Sequence, residues 1–341
     1  MGLQENARSF INQQHRFLKE NKDRLSIDAD THITDVSNLP GELKQKLNAN
    51  EWYYHGRPIS CEQLLMEMEI SEIDMSLAWQ NPAATVYTDN KKHNYNALLE
   101  ANRYIALSAG NHHTKLIPAG WTDPRALGVD QAVHLAQQCV LEFGFPVVKM
   151  NPAQNEYFID DPISIKVTDA IVELGAVPAF HFGADTIYTP PEGLEKIVAR
   201  YSGDTNIIAV HMGGGGASYL EAEQVYQKSR QLGLTYPNIH FILSAKRDAH
   251  VESDFIAYQT AGEPYTRSLS CGSDAPYGKQ TWNFGGFRCM LEGFLKHENH
   301  PDARIRNSPG LFTKDSMVNY MGRNLACLVM NAYEKILDSA L

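Results

Sequence analysis

The sequence predicts an α/β protein built as a (β/α)8 (TIM) barrel, with one extra helix in front of it. Three observations point there. Eight short apolar runs recur along the chain, and amphipathic helical segments separate them. The turn after the first run, DADTHIT, lacks the Gly-rich phosphate loop that an open doubly wound sheet would carry.

Taken in order, residues 3–24 read as a helix with Ala7, Phe10, Ile11 and Leu18 as its apolar stripe. This divides the chain into an N-terminal helical extension, 1–24, and a single barrel domain, 25–341. The apolar runs are LSIDADTHI (25–33), IDMSLAW (73–79), KLIPAGW (115–121), PVVKMN (146–151), VPAFHF (177–182), NIIAVHM (206–212), IHFILS (239–244) and SLSCGS (268–273). Near-continuous apolar composition, in place of strict alternation, marks strands buried on both faces. A helix is predicted from Asp161-Pro162 to Gly175, with Ile163, Val167, Ala170, Ile171 and Leu174 on one face. Asp at the cap, Pro in the first turn and Gly past the end punctuate it. The stripe Val133, Ala136, Val140, Leu141 ends at Gly144 before the fourth run, and Leu194, Ile197, Val198, Tyr201 precedes the sixth. Segment 34–60, with Trp52, Tyr53, Tyr54, His55 and Arg57, is an insertion after the first strand, which in a barrel lies at the active face. No internal repeat or low-complexity linker interrupts the pattern.

Composition bounds the function. With 43% hydrophobic and 21% charged residues, the 341-residue chain can bury a large core. The net charge of −10, without a Lys/Arg block, argues against nucleic acid or an anionic membrane as partner. Five scattered cysteines without a CxxC pair fit reduced thiols. The polar N-terminus has no signal-peptide core, and no run approaches the roughly 20 apolar residues of a membrane span. The expected location is the cytoplasm.

The chemistry falls at the predicted strand ends. Asp30 and His32 close the first strand two apart, so they share a side. His181 ends the fifth, His211 the sixth, and Asp274 follows the eighth. Barrel geometry brings these ends to one mouth. Imidazole nitrogen and carboxylate oxygen suit Zn2+, Mn2+ or Fe2+. Singly, each has an ordinary explanation: 13 His and 40 acidic residues scatter widely, and Ser-Asp-Ala-Pro is common turn chemistry. Five coinciding with the ends of an eight-unit pattern is not ordinary. The tetraglycine Gly213–Gly216 lacks the Lys and Ser/Thr of a nucleotide loop and reads as a tight turn that lets backbone approach the site. Trp79 and Trp121 end the second and third strands, where they would wall a substrate pocket or pack the rim.

DxH on the first strand, FHFG on the fifth, VHMGG on the sixth and GSDAPYG after the eighth resemble the amidohydrolase-related (amidohydrolase 2) family of the amidohydrolase superfamily. That group includes aminocarboxymuconate-semialdehyde decarboxylase and the resorcylate decarboxylases. The resemblance covers about residues 25–330. It implies a metal-dependent-hydrolase barrel in which Asp30, His32, His181 and Asp274 ligate one divalent ion, Zn2+ first and Mn2+ second. His211 takes the place of the active-site His beside the metal. Asp30 departs from the more familiar HxH pair and makes the site harder. Lys149, in VVKMNP, sits where distant members carry a carboxylated lysine bridging two metals. With a single metal it is read as a substrate-carboxylate contact.

The expected activity is metal-assisted hydrolysis of a small carboxylated or aromatic substrate, with Asp274 as proton acceptor and donor and His211 orienting the carbonyl. The alternative is non-oxidative decarboxylation of an aromatic or unsaturated acid, which the same residues could serve. A metal-free binding barrel is the third reading, and filled ligand positions speak against it. The expected partner is a small molecule, with no nucleic acid and no membrane; a homodimer is the candidate assembly.

Overall fold

A computed structural model describes residues 2–49, 55–201, 205–215 and 219–339. Trp52, Tyr53, Tyr54 and Gly216 lie outside the described residues. Eight parallel strands run in chain order around one sheet: β1 (Ile27–Ile33), β2 (Met75–Gln80), β3 (Leu116–Trp121), β4 (Val147–Met150), β5 (Val177–Gly183), β6 (Ile207–Gly214), β7 (Ile239–Leu243) and β8 (Leu269–Cys271). The seam between the first and last is closed just past β8. Thr31 bridges Ala275 in parallel, and the His32 amide donates to the Ala275 carbonyl at 2.7 Å. The architecture is the (β/α)8 barrel that the eight apolar runs predict.

Seven of the eight strands are buried along their whole length, and β5 departs only at His181. The helical ring covers the outer face, and side chains fill the inner one, which is why the runs are apolar throughout. The helix Pro162–Glu173 starts on Asp161, whose carboxylate accepts from the Ile163 amide at 3.0 Å. Its chain reverses at Gly175, where φ is +82° and an added Cβ would lie 2.7 Å from the Lys335 carbonyl carbon. Only glycine fits both demands.

The first helix spans Glu5–Asn21. Gln14, fully buried on it, donates to the carbonyls of His113 and Leu116, anchoring the helix beside the start of β3. The helix Asn324–Ser339 crosses the N-terminal end of the barrel. Asn324 donates to the Thr266 and Leu269 carbonyls beside β8, and Tyr333 donates to Gln14. Tyr333 and Ile336 on this helix are fully buried. The N-terminal end is thereby plugged by chain, and the opposite mouth carries the loops.

The described part of the insertion after β1 lies at that mouth. His55 Nδ1 bonds the Tyr277 carbonyl at 2.7 Å, and the Gly56 amide donates to the Pro276 carbonyl at 2.8 Å. No helix among the described residues is long and apolar enough to cross a membrane.

Candidate metal centre

The C-terminal ends of β1, β6, β7 and β8 converge on one buried point. Asp30, His211 and Asp274 each place a ligand-capable atom within 4.8 Å of the others. His32 Nε2 stands 3.6 Å from Asp30 Oδ1 and 3.5 Å from Asp274 Oδ1. Asp30 is fully buried, and Asp274 is the more open carboxylate, with 14% of its side chain exposed.

The backbone at these ends is strained. Of six described non-glycine residues with positive φ, His211 (+76°), Met212 (+46°), Ala245 (+50°) and Asp274 (+59°) lie here. Such conformations cost of order 1–3 kcal/mol each and persist where surrounding structure over-determines them, which is common at functional sites. The glycines after His211 serve this close packing: a Cβ on Gly214 would lie 2.6 Å from the Ala245 carbonyl oxygen.

Hydrogen bonds assign the imidazole protons. His32 Nδ1 lies 2.7 Å from the Gln80 carbonyl, which can only accept, so Nδ1 carries the proton and Nε2 offers its lone pair. Ser244 donates its hydroxyl to Asp30 Oδ2 at 2.7 Å. Its oxygen therefore accepts from His211 Nδ1 at 2.8 Å, which leaves the His211 Nε2 lone pair free as well. Two imidazoles tied at Nδ1 with Nε2 unprotonated are prepared donors for a cation. His181 differs. Its Nε2 lies 3.1 and 3.2 Å from the two oxygens of Asp185, four residues on, and donates to them. Its ring stands edge-on to His211 with centroids 4.8 Å apart. His181 is thus at the site with its Nε2 engaged by a carboxylate, whereas His211 is grouped with Asp30 and Asp274.

Lys149, on β4, is buried beside this cluster, its ammonium 3.8 Å from Asp30 Oδ1. It lies 4.0 Å from the ring centroid of Trp79 and 5.2 Å from that of Trp121. Both tryptophans are fully buried, so they wall the ammonium and not an open rim. Trp79 also donates its indole N–H to Asp30 Oδ1 at 2.8 Å.

Charges balance tightly. Burial pushes Asp30 up, and the opposite charge beside it, Lys149 first, more than offsets this and holds the carboxyl well below its ordinary range. Burial lowers Lys149 and His211 against the pull of Asp30 and Asp274, so His211 favours its neutral, donor-competent form.

Sequence reasoning did not pick out Gln80, Asp185 or Ser244. Gln80 and Ser244 sit at strand ends, as the chosen residues do, and that position was the available signal. Asp185 follows His181 by one helical turn's worth of residues, in the loop HFGAD.

No protein-family profile and no curated protein sequence matches the chain. Solved structures do. A 2,6-dihydroxybenzoate decarboxylase shares 12% identity at a TM-score of 0.64, over 89% of this chain and 98% of that one. A dihydroxybenzoic acid decarboxylase from Polaromonas sp., with bound manganese and 2-nitroresorcinol, shares 13% at 0.61, over 89% and 96%. The 4-oxalomesaconate hydratase of Rhodopseudomonas palustris shares 15% at 0.58, over 93% and 97%. At these identities the likeness is one of fold: the chain has the barrel of these enzymes along nearly its whole length.

Proposed function

We propose that the chain is a metal-dependent enzyme of the amidohydrolase-related family, acting on a small carboxylated or aromatic substrate. The observation that carries the reading is the pairing of two carboxylates with imidazole Nε2 lone pairs at one buried point, beside the Lys149 ammonium. The donor chemistry fits one divalent ion held by Asp30, His32, Asp274 and one of the two facing imidazoles: His181, as the resemblance implies, once its Nε2 leaves Asp185, or His211, whose Nε2 already faces the carboxylates. Two carboxylates cancel the ion's charge, and the mixed oxygen–nitrogen set suits Zn2+ or Mn2+.

When bound, the ion supplies Lewis-acid polarisation of a substrate oxygen and makes water more acidic. Asp274, the more exposed carboxylate, accepts a proton and later returns it to the leaving group. His211, neutral and anchored by Ser244 at Nδ1, offers its Nε2 lone pair to orient the attacking water or to take a proton, and donates to the oxygen that gains charge only after it is protonated. Lys149, desolvated between two indoles, pairs with an anionic substrate group. Hydrolysis is the first reading.

Decarboxylation of an aromatic or unsaturated acid is the second. The buried ammonium favours an acid as substrate, and two of the fold neighbours above are dihydroxybenzoate decarboxylases. There Asp274 or His211 would deliver the proton to carbon.

Protein loaded with Zn2+ or Mn2+ and assayed on esters, lactones, amides and hydroxybenzoates, with CO2 release followed in parallel, separates the two. Turnover that vanishes with a chelator and returns with metal supports the proposal. A protein that retains no divalent ion and takes none up sinks it.

A further inference from the structure

Asp28 lies on β1 two residues before Asp30 and is fully buried; the strand is irregular between Asp28 and Thr31, so Asp28 pairs with Ser76 and faces the helix that begins at Gln280, whereas Asp30 faces Trp79. Its carboxylate accepts four hydrogen bonds. Oδ1 takes the Ser273 amide at 2.9 Å and the Asp30 amide at 3.1 Å. Oδ2 takes the Ser273 hydroxyl and Gln280 Nε2, the latter at 2.8 Å. Gln280 Nε2 also reaches Ser76 Oγ on β2 at 3.2 Å. Three of the four donors thus belong to Ser273, which immediately precedes Asp274, and to Asp30 itself.

A carboxylate buried between strand and helix is costly unless hydrogen bonds replace its lost hydration. Closing the barrel does not require it, because the seam already carries the Thr31–Ala275 bridge and the bond from the His32 amide to the Ala275 carbonyl. What does require an outside hold is the turn at Asp274, whose φ of +59° a non-glycine residue rarely adopts. The turn is tight: a Cβ on Gly278 would fall 2.0 Å from the Ser273 carbonyl oxygen. Asp28 grips the residue before the strained one through both amide and hydroxyl, and Ser273 Oγ in turn accepts from the Ala275 amide at 3.1 Å. Both flanks of Asp274 are therefore fixed to one carboxylate on β1.

We propose that Asp28 is a positioning residue of the metal centre: by clamping Ser273 to β1 it sets where the Asp274 carboxylate stands relative to Asp30 and His32. The inference rests on the metal-centre reading above. It assigns Asp28 no contact with ion or substrate, and its effect passes through Ser273.

The test uses the full chain with Asp28→Asn, Ser273→Ala and the double variant. Affinity for Zn2+ is measured by competition with a chromophoric chelator, the visible absorption of the Co2+-loaded protein reports geometry, and thermal unfolding is followed alongside. Asp28→Asn should weaken Zn2+ binding by about 10–100-fold, the usual scale for lost outer contacts, and alter the Co2+ bands. Ser273→Ala should do nearly the same, and the double variant no more, because both remove one linkage. Wild-type affinity with unchanged Co2+ bands in Asp28→Asn, whatever its melting temperature, overturns the positioning role. If Asp28→Asn does not fold, Ser273→Ala decides by the same criterion. Wild-type protein that binds neither Zn2+ nor Co2+ overturns the metal centre, and this inference with it.

Discussion

Trp79 donates its indole N–H to Asp30 Oδ1 at 2.8 Å, on the same oxygen that faces the Lys149 ammonium at 3.8 Å. With Ser244 donating to Oδ2, both oxygens of Asp30 are oriented before any ligand arrives. A buried carboxylate so held points its remaining lone pairs in one direction, the preorganisation a metal ligand needs. Trp79→Phe keeps an aromatic face under Lys149 but removes the donor together with part of a fully buried ring. Hydrogen bonds to charged groups are worth about 1.5–3 kcal/mol and the cavity adds to this, so urea unfolding should show a loss of at least about 1.5 kcal/mol. Zn2+ affinity should fall about 10–100-fold. Unchanged affinity would mean that Asp30 is oriented without Trp79.

The two imidazoles His181 and His211 stand edge to face, and their roles separate by experiment. If His181 is the ligand, His181→Ala strips the metal. His211→Asn should keep most of it and lose about 10²–10⁴-fold in turnover, the usual contribution of a positioned acid–base or oxyanion group. Asp274→Asn should lose part of both, since an amide oxygen coordinates weakly and accepts no proton. Metal stoichiometry and turnover measured on all three decide it. A metal-free His211→Asn with a metal-full His181→Ala transfers the ligand role to His211, the imidazole grouped with the two carboxylates, and leaves the His181–Asp185 pair for proton transfer.

His240 lies on β7, away from the metal centre, with Nε2 2.8 Å from Ser270 Oγ. Burial pushes it down to about 4 from 6.5, slightly opposed by a hydrogen bond with the Arg267 backbone. Between those values the unfolded chain binds a proton that the folded one refuses. Stability is therefore full above pH 6.5 and falls as the pH drops towards 4, by roughly 3 kcal/mol for this group at 1.36 kcal/mol per pH unit. The stability gap between wild type and His240→Gln, from urea unfolding at pH 7 and pH 4, should shift by that amount in the variant's favour at low pH. A gap independent of pH would show that His240 is protonated in the folded state.

The amino-acid sequence by itself determined the barrel, because strands buried on both faces must be apolar along their length and so stand out as eight runs. It also determined the neighbourhood of the site, since parallel strands in a closed barrel send all their C-terminal ends to one mouth. Asp30, His32, His211 and Asp274 were legible for that reason alone. Only the tertiary structure decided which lone pair meets which proton. Ser244 meets Asp30 across 214 residues of chain, Gln80 meets His32 across 48, and Asp28 meets Ser273 across 245. No local pattern encodes contacts so distant. They arise where strand register and a strained turn bring two groups within hydrogen-bond reach. The same holds for His181: its place at the fifth strand's end is written in the run VPAFHF, but the engagement of its Nε2 by Asp185 depends on how the loop after that strand folds back.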